Sequence, residues 1–233
     1  MDNKTVKDTI PLRIITLNVR YAVKRTLLPN EEPWDVRCPR LAAQLRIHTF
    51  GQTNTFVCIQ EAQHQQLFDL HSELEVPSSA WGATINRIVT IGLFRHKVSC
   101  TKVVVMSTHL DHRSAEARSE SAKLLLRLAR QWQTEASTDN QAAVPVFLGG
   151  DFNSGPAEEP HRLLTAEPDG MSDLKNLVPK SHRYGNTVTY TTFGEAEPTI
   201  IDHLFVLNPT GIEFHNFGVL SNRFDDGVYY SDH

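Results

Sequence analysis

Eight side chains stand out because they sit where runs of apolar residues give way to polar ones. "RIITLN" closes on Asn18, "FVCIQE" on Glu61, "VVVMSTH" on His109, and "VPVFLGGDFN" on Asp151 and Asn153. Asp202 interrupts "TIIDHLFV", and "GVYYSDH" closes on Asp232 and His233. Carboxylates and carboxamides are hard oxygen ligands of the kind Mg2+ takes, and Mg2+ keeps several waters while using one or two protein carboxylates. Imidazoles can exchange protons or stabilise charge on a phosphoryl oxygen. Oxygen ligands with histidines, and no reactive cysteine, fit metal-assisted phosphoester hydrolysis better than acyl transfer.

Each residue also has an ordinary reading. An Asn after a strand is most often a turn residue, Glu61 can be the first-turn acid of a following helix, and "GGDFNSGP" has the composition of a plain turn. Asp202 inside an apolar run is harder to dismiss, since a buried carboxylate needs a partner. His48, His64, His71, His96, His161, His182 and His215 carry no such context and read as ordinary histidines. The weight lies in the joint occurrence, because strand ends are where layered α/β folds aim several loops at one point.

The elements that would position these residues follow from pattern. Strand-like runs lie at 12–19, 55–60, 87–94, 102–110, 144–150, 187–193, 199–207 and 212–220. Helical spacing covers 36–50 (Val36, Leu41, Leu45, Ile47), 63–74 (Leu67, Leu70, Leu74) and 114–133. The last has Ser114 as its N-cap and a stripe of Leu124, Leu125, Leu128 and Trp132. Helices alternate with strands in the front half and not in the back half, which predicts an α/β fold with mixed sheets.

The 233 residues carry no repeat or linker and predict a single domain, 1–233. A net charge of −4 excludes a generally basic surface, though a local basic groove remains compatible with it. Cys38, Cys58 and Cys100 are odd in number and form no paired motif, which favours a reducing compartment and argues against a zinc site. "MDNKTVKDTI" holds no apolar signal stretch, and no run approaches the roughly 18 residues of a membrane span. The expectation is a cytoplasmic or otherwise intracellular chain, and a monomer.

Read in order, "ITLNVRY", "PWDVRCPRLAAQL", "CIQEAQHQQLFDL", "STHLDHRSAEAR", "FLGGDFNSGP", "TIIDHLFV" and "FGVLSNRFDDGVYYSDH" cover nearly the whole chain. The ordered set resembles the endonuclease/exonuclease/phosphatase superfamily, the deoxyribonuclease I-like group. Its motifs are closest to the carbon-catabolite-repressor-type deadenylase-like branch. The resemblance implies two packed mixed β-sheets flanked by helices, a four-layer α/β sandwich. It also implies Mg2+, with Mn2+ as a substitute, held by Glu61 as principal ligand with Asn18 and Asp232. By the same resemblance Asp151 orients or deprotonates the attacking water, and Asn153 holds that water or the phosphate. His233 contacts the scissile phosphate, Asp202 fixes its imidazole, and His109 is the second phosphate-facing histidine.

Two departures from the family pattern stand out. Family members carry additional strands where this chain runs from Leu74 through "VPSSA" to Trp81, and a further core strand after Ser-Asp-His. The expectation is therefore a shortened domain, with His233 on a fraying end. Nucleic acid, RNA or DNA, is the expected substrate, with 3′-to-5′ RNA exonuclease as the specific form. A phosphatase or phosphodiesterase of a small or lipid phosphoester is the alternative within enzymes, and an inactive binding module is the alternative outside them.

Overall fold

The computed structural model describes residues 9–74, 87–137, 143–166 and 168–233. Strand β1 (Arg13–Asn18) runs parallel to β2 (Thr55–Gln60), with Asn18 opposite Gln60. A parallel pair needs a crossover, and helix α1 (Trp34–Thr49) supplies it. Cys38, Leu41, Ala42 and Leu45 of α1 pack with Leu70 of α2 (His64–Leu74) over Leu17, Val19, Val57 and Ile59. Ile47, expected on this face, is 75% exposed. It lies two residues beyond Leu45, about 200° around the helix.

The larger sheet has the order β3-β4-β5-β8-β6. Its strands are β3 (Val89–Arg95), β4 (Lys102–His109), β5 (Val146–Asp151), β6 (Ser172–Asp173) and β8 (Asp202–Leu207). β4 and β5 are parallel, joined through α3 (Ala115–Ala136), and the remaining pairs are antiparallel. Ser114 caps α3 as expected, its hydroxyl accepting from the Ala117 amide. Ala122, Leu125 and Ala129 face Val104, Met106, Leu148 and Phe205, while Leu124 turns outward. Leu124 and Leu125 stand about 100° apart on the helix, so they cannot share one narrow stripe. Short elements complete the chain: α4 (Glu159–Leu164), α5 (Leu174–Leu177), and β7 (Arg183–Gly185) paired in parallel with β9 (Phe217–Val219).

The two sheets pack face to face. Gly149 of β5 sits between them, where a Cβ would come within 2.9 Å of Leu204, 3.3 Å of Thr16 and 3.4 Å of Cys58. The glycine therefore sets how closely the sheets approach, and α1/α2 and α3/α4 form the outer layers. This is the expected four-layer α/β arrangement.

Two expected strands differ. Residues 187–193 contribute a single bridge, Tyr190 to Thr199, and then turn at Thr192 and Phe193, whose φ values of 50° and 54° leave the extended region. Of 212–220, residues 217–219 pair as a strand. The expected deletion between Leu74 and Trp81 falls at residues 75–86, outside the described residues.

Candidate active site

Strand register places three predicted residues in one row. His109 of β4 lies opposite Asp151 of β5, and Asp151 lies opposite Asp202 of β8. Their side chains meet accordingly: His109 Nε2 is 3.3 Å from Asp151 Oδ2. Thr189 fixes the Asp202 end, its hydroxyl accepting from the Ile201 and Asp202 amides at 3.0 Å each. Beyond the row the chain turns sharply at Asn153 (φ 47°), whose amide donates to Asp151 Oδ1 at 2.9 Å. The Asn153 side-chain nitrogen donates to the Leu110 carbonyl at 3.1 Å, tying the loops after β4 and β5 together.

The smaller sheet delivers its residues to the same point. Asn18 is fully buried, and its Nδ2 donates to Asp151 Oδ2 at 3.1 Å and Glu61 Oε1 at 3.2 Å. Its Oδ1 accepts from the Arg20 amide, which leaves one lone pair on that oxygen for another partner. Glu61 follows β2 with a φ of 61°. A non-glycine residue in that region costs on the order of 1–3 kcal/mol, and here the turn sends the carboxylate back toward Asn18. Its Oε2 accepts from the Tyr21 amide at 3.2 Å.

The last five residues are held firmly. The buried Arg37 guanidinium donates to the carbonyls of Val19, Arg20, Glu32 and Tyr230 at 2.9–3.2 Å. The Ser231 hydroxyl donates to the Asn18 carbonyl at 2.6 Å, and the Thr191 amide donates to the Asp232 carbonyl at 2.7 Å. Gln44 reaches the Tyr230 hydroxyl, and Asn222 reaches the Ser231 carbonyl. Tyr230, Ser231 and Asp232 are buried, which overturns the expectation of a fraying end. Side-chain donors from α1 and the 222 loop reach this segment.

Its side chains complete the constellation. His233 Nδ1 lies 2.8 Å from Asp202 Oδ2, and His233 Nε2 lies 3.5 Å from Asp151 Oδ2. The Tyr190 ring packs on the imidazole with centroids 4.8 Å apart. Asp202 Oδ1 is buried without a hydrogen-bond partner among the described residues. Potential ligand atoms of Asp151, Asp202 and His233 all lie within 4.8 Å of one another.

Charge divides the two imidazoles. Burial alone lowers the pKa of His233, but the charge and hydrogen bond of Asp202, with Asp151 and Asp232, outweigh it and raise the group to about 9. His109 goes the other way, down to about 4, through burial and then the charge of Arg87. Burial, then the charge of Asp202, pushes Asp151 up to about 7. At neutral pH, His233 is therefore a cation with Nδ1 committed to Asp202, which suits it to phosphate and not to metal. His109 is neutral, so its 3.3 Å approach to Asp151 is a contact between an uncharged imidazole and a carboxyl group and not an ion pair. Asp232 is raised by burial, and the charge of Glu61 adds to that.

All eight predicted residues thus converge, Asn153 from the loop wall. Reading the sequence alone missed Arg37, Thr189 and Tyr190. Arg37 was detectable, since it stands four residues before Leu41 and eight before Leu45, on the apolar face of α1. A charge on such a face needs several partners. Tyr190 gave no signal, because it lies in a run that reads as an ordinary strand.

No protein-family model and no curated protein sequence matches the chain. Solved structures do. The endonuclease/exonuclease/phosphatase from Bacteroides vulgatus is 21% identical, with a TM-score of 0.75 over 95% of both chains. A functionally unknown conserved protein from Enterococcus faecalis is 24% identical, with a TM-score of 0.71 over 94% of this chain and 95% of that one. A mannosyl-6-phosphatase from Bacteroides thetaiotaomicron is 21% identical, with a TM-score of 0.65 over 85% of this chain and 86% of that one. The fold is that of the endonuclease/exonuclease/phosphatase, deoxyribonuclease I-like superfamily.

Proposed function

We propose that this chain is a divalent-metal-dependent phosphoester hydrolase, acting on a phosphodiester of a nucleic acid. The carrying observation is the placement of Glu61 and Asp232 beside an Asp151–His233–Asp202 network in one groove. A divalent cation fits the first pair, because burial and the charge of Glu61 both raise the cost of ionising Asp232, and a cation between them relieves it. Glu61 and Asp232 would hold it, with the free lone pair of Asn18 Oδ1 as a third oxygen donor. When bound, Mg2+ or Mn2+ neutralises charge on the phosphoryl group and orients a water.

The protein's own groups account for the remaining chemistry. Asp151, with a pKa near neutrality, accepts a proton from the attacking water. The His233 imidazolium donates hydrogen-bond and charge stabilisation to a phosphoryl oxygen, and Asp202 fixes its ring and its Nδ1 proton. Neutral His109 offers a second imidazole at the same oxygen cluster. The Tyr190 ring shields the imidazole from water on one side.

Hydrolysis of a small phosphomonoester is the second reading, favoured by the likeness to the mannosyl-6-phosphatase. The 3′-to-5′ RNA exonuclease is the specific form proposed for the first. Purified protein with Mg2+ would be assayed on end-labelled RNA, end-labelled DNA, bis(p-nitrophenyl) phosphate and mannose 6-phosphate. Shortening of RNA from its 3′ end that disappears in Glu61→Ala supports the exonuclease. Turnover of mannose 6-phosphate alone shifts the assignment to the phosphatase, and no turnover of any substrate by folded protein overturns both.

A further inference from the structure

Beside the hydrolytic residues the groove carries a second group of side chains that the chemistry above does not use. Arg87 precedes β3, and the antiparallel register that sets Val89 against Thr108 brings it alongside the loop after β4. There Arg87 Nη2 lies 3.0 Å from His112 Nδ1, and Arg113 Nε lies 3.1 Å from His112 Nε2. Every nitrogen of a guanidinium is a donor, whereas a neutral imidazole offers one acceptor nitrogen. One of the two contacts therefore sets N–H against N–H, and protonating His112 makes both of them so. Three basic side chains thus crowd together with one acceptor lone pair among them.

Among the described residues no side-chain oxygen hydrogen-bonds these guanidinium or imidazole groups, and Asp111 acts on Arg87 and His112 only as a nearby charge. Asp111 stands closest in sequence, but its Oδ1 is occupied by the Arg113 and Ser114 amides at 2.7 Å. Among the described residues neither Arg87 nor Arg113 has a carboxylate within ion-pair distance. All three basic residues are exposed, and they line the same groove as His109, Asp151 and His233. A donor-rich, acceptor-poor cluster at this position is stabilised by an anion carried on the substrate. Phosphate is the natural partner for guanidinium forks, which bind it bidentately.

We propose that Arg87, His112 and Arg113 form a second phosphate subsite that binds a substrate phosphate next to the one being hydrolysed. The preferred substrate then carries at least two phosphates, as an oligonucleotide does, and a lone phosphomonoester uses half of the groove. This rests on the phosphoester reading above and adds to it the residues that hold a neighbouring phosphate of the substrate.

The test uses a matched pair, thymidine 5′-(p-nitrophenyl phosphate) and its 3′-phosphorylated counterpart, with Mg2+. The expected ratio of kcat/KM favours the two-phosphate substrate by at least tenfold, and falls toward one in Arg87→Gln/Arg113→Gln. Arg162→Gln, an exposed arginine on α4, is the control and keeps the ratio. Calorimetric binding of thymidine 3′,5′-bisphosphate against thymidine 5′-monophosphate gives a readout independent of turnover. Tenfold tighter binding of the bisphosphate that is lost in the double variant supports the subsite even if neither ester is hydrolysed, an outcome that would sink the hydrolase reading alone. Equal binding of the two nucleotides, or a preference that survives the double substitution in folded protein, overturns the subsite.

Discussion

Nδ1 of His233 stands 2.8 Å from Oδ2 of Asp202, joining the last residue of the sequence to the first residue of β8. That carboxylate keeps a buried imidazole charged, so Asp202→Asn should bring the His233 pKa down from about 9. The expected cost in turnover is on the order of 10²–10⁴-fold, the range for losing the orienting carboxylate of a His pair. A proton NMR titration of the imidazole with the rate on bis(p-nitrophenyl) phosphate checks both. An unshifted His233 resonance in the variant would contradict the role.

The same pair makes metal-free stability depend on pH. His233 has a folded pKa raised above its unfolded value, so its contribution is complete below pH about 6.5 and is lost as pH rises through 9. Urea midpoints measured in EDTA should fall between pH 7 and 9.5, and the fall should be shallower in Asp202→Asn. A flat profile in the parent protein would be the wrong result.

His203 gives the opposite slope. Its Nε2 meets the Ser154 carbonyl at 2.9 Å, and burial lowers its pKa. The unfolded chain takes up that proton first, so stability is lost as pH drops below about 6.5. Urea midpoints should decline from pH 7 to pH 5, and His203→Gln should flatten that limb.

Glu61 should report the cation directly. Metal at about one hundred times its Kd adds about 2.7 kcal/mol, roughly 5–10 °C in a domain of this size. Differential scanning fluorimetry with Mg2+ or Mn2+ against EDTA should show that rise, and Glu61→Gln should abolish most of it. A variant that still gains the full shift would place the cation elsewhere.

Arg37→Met should cost about 3 kcal/mol, because four carbonyls lose a charged donor inside the fold. Lysine at this position should not rescue it, since one ammonium cannot span four acceptors. Chemical denaturation measures both variants, and rescue by lysine would mean that burial of the stem matters more than the fork.

The sequence made the strand-end residues legible because short polar side chains interrupt strongly apolar runs, a contrast that survives without any tertiary information. β1, β2, β4 and β5 follow that contrast closely. The expected strand at 187–193 failed because Thr189 and Tyr190 are β-formers put to other uses, one accepting backbone amides and the other covering His233. The Arg87–His112–Arg113 cluster was equally invisible. It depends on β3 and β4 being antiparallel neighbours, which brings together residues 25 apart.

The register that aligns His109, Asp151 and Asp202 runs across β4, β5 and β8 and separates two kinds of change. A one-residue insertion inside any of these strands would turn its member of the row to the opposite face and break up the cluster. An insertion beyond the row, in the loops that carry His112 or Tyr190, leaves the ladder intact. The row of side chains and the length of the surrounding loops can therefore change independently of one another in this scaffold.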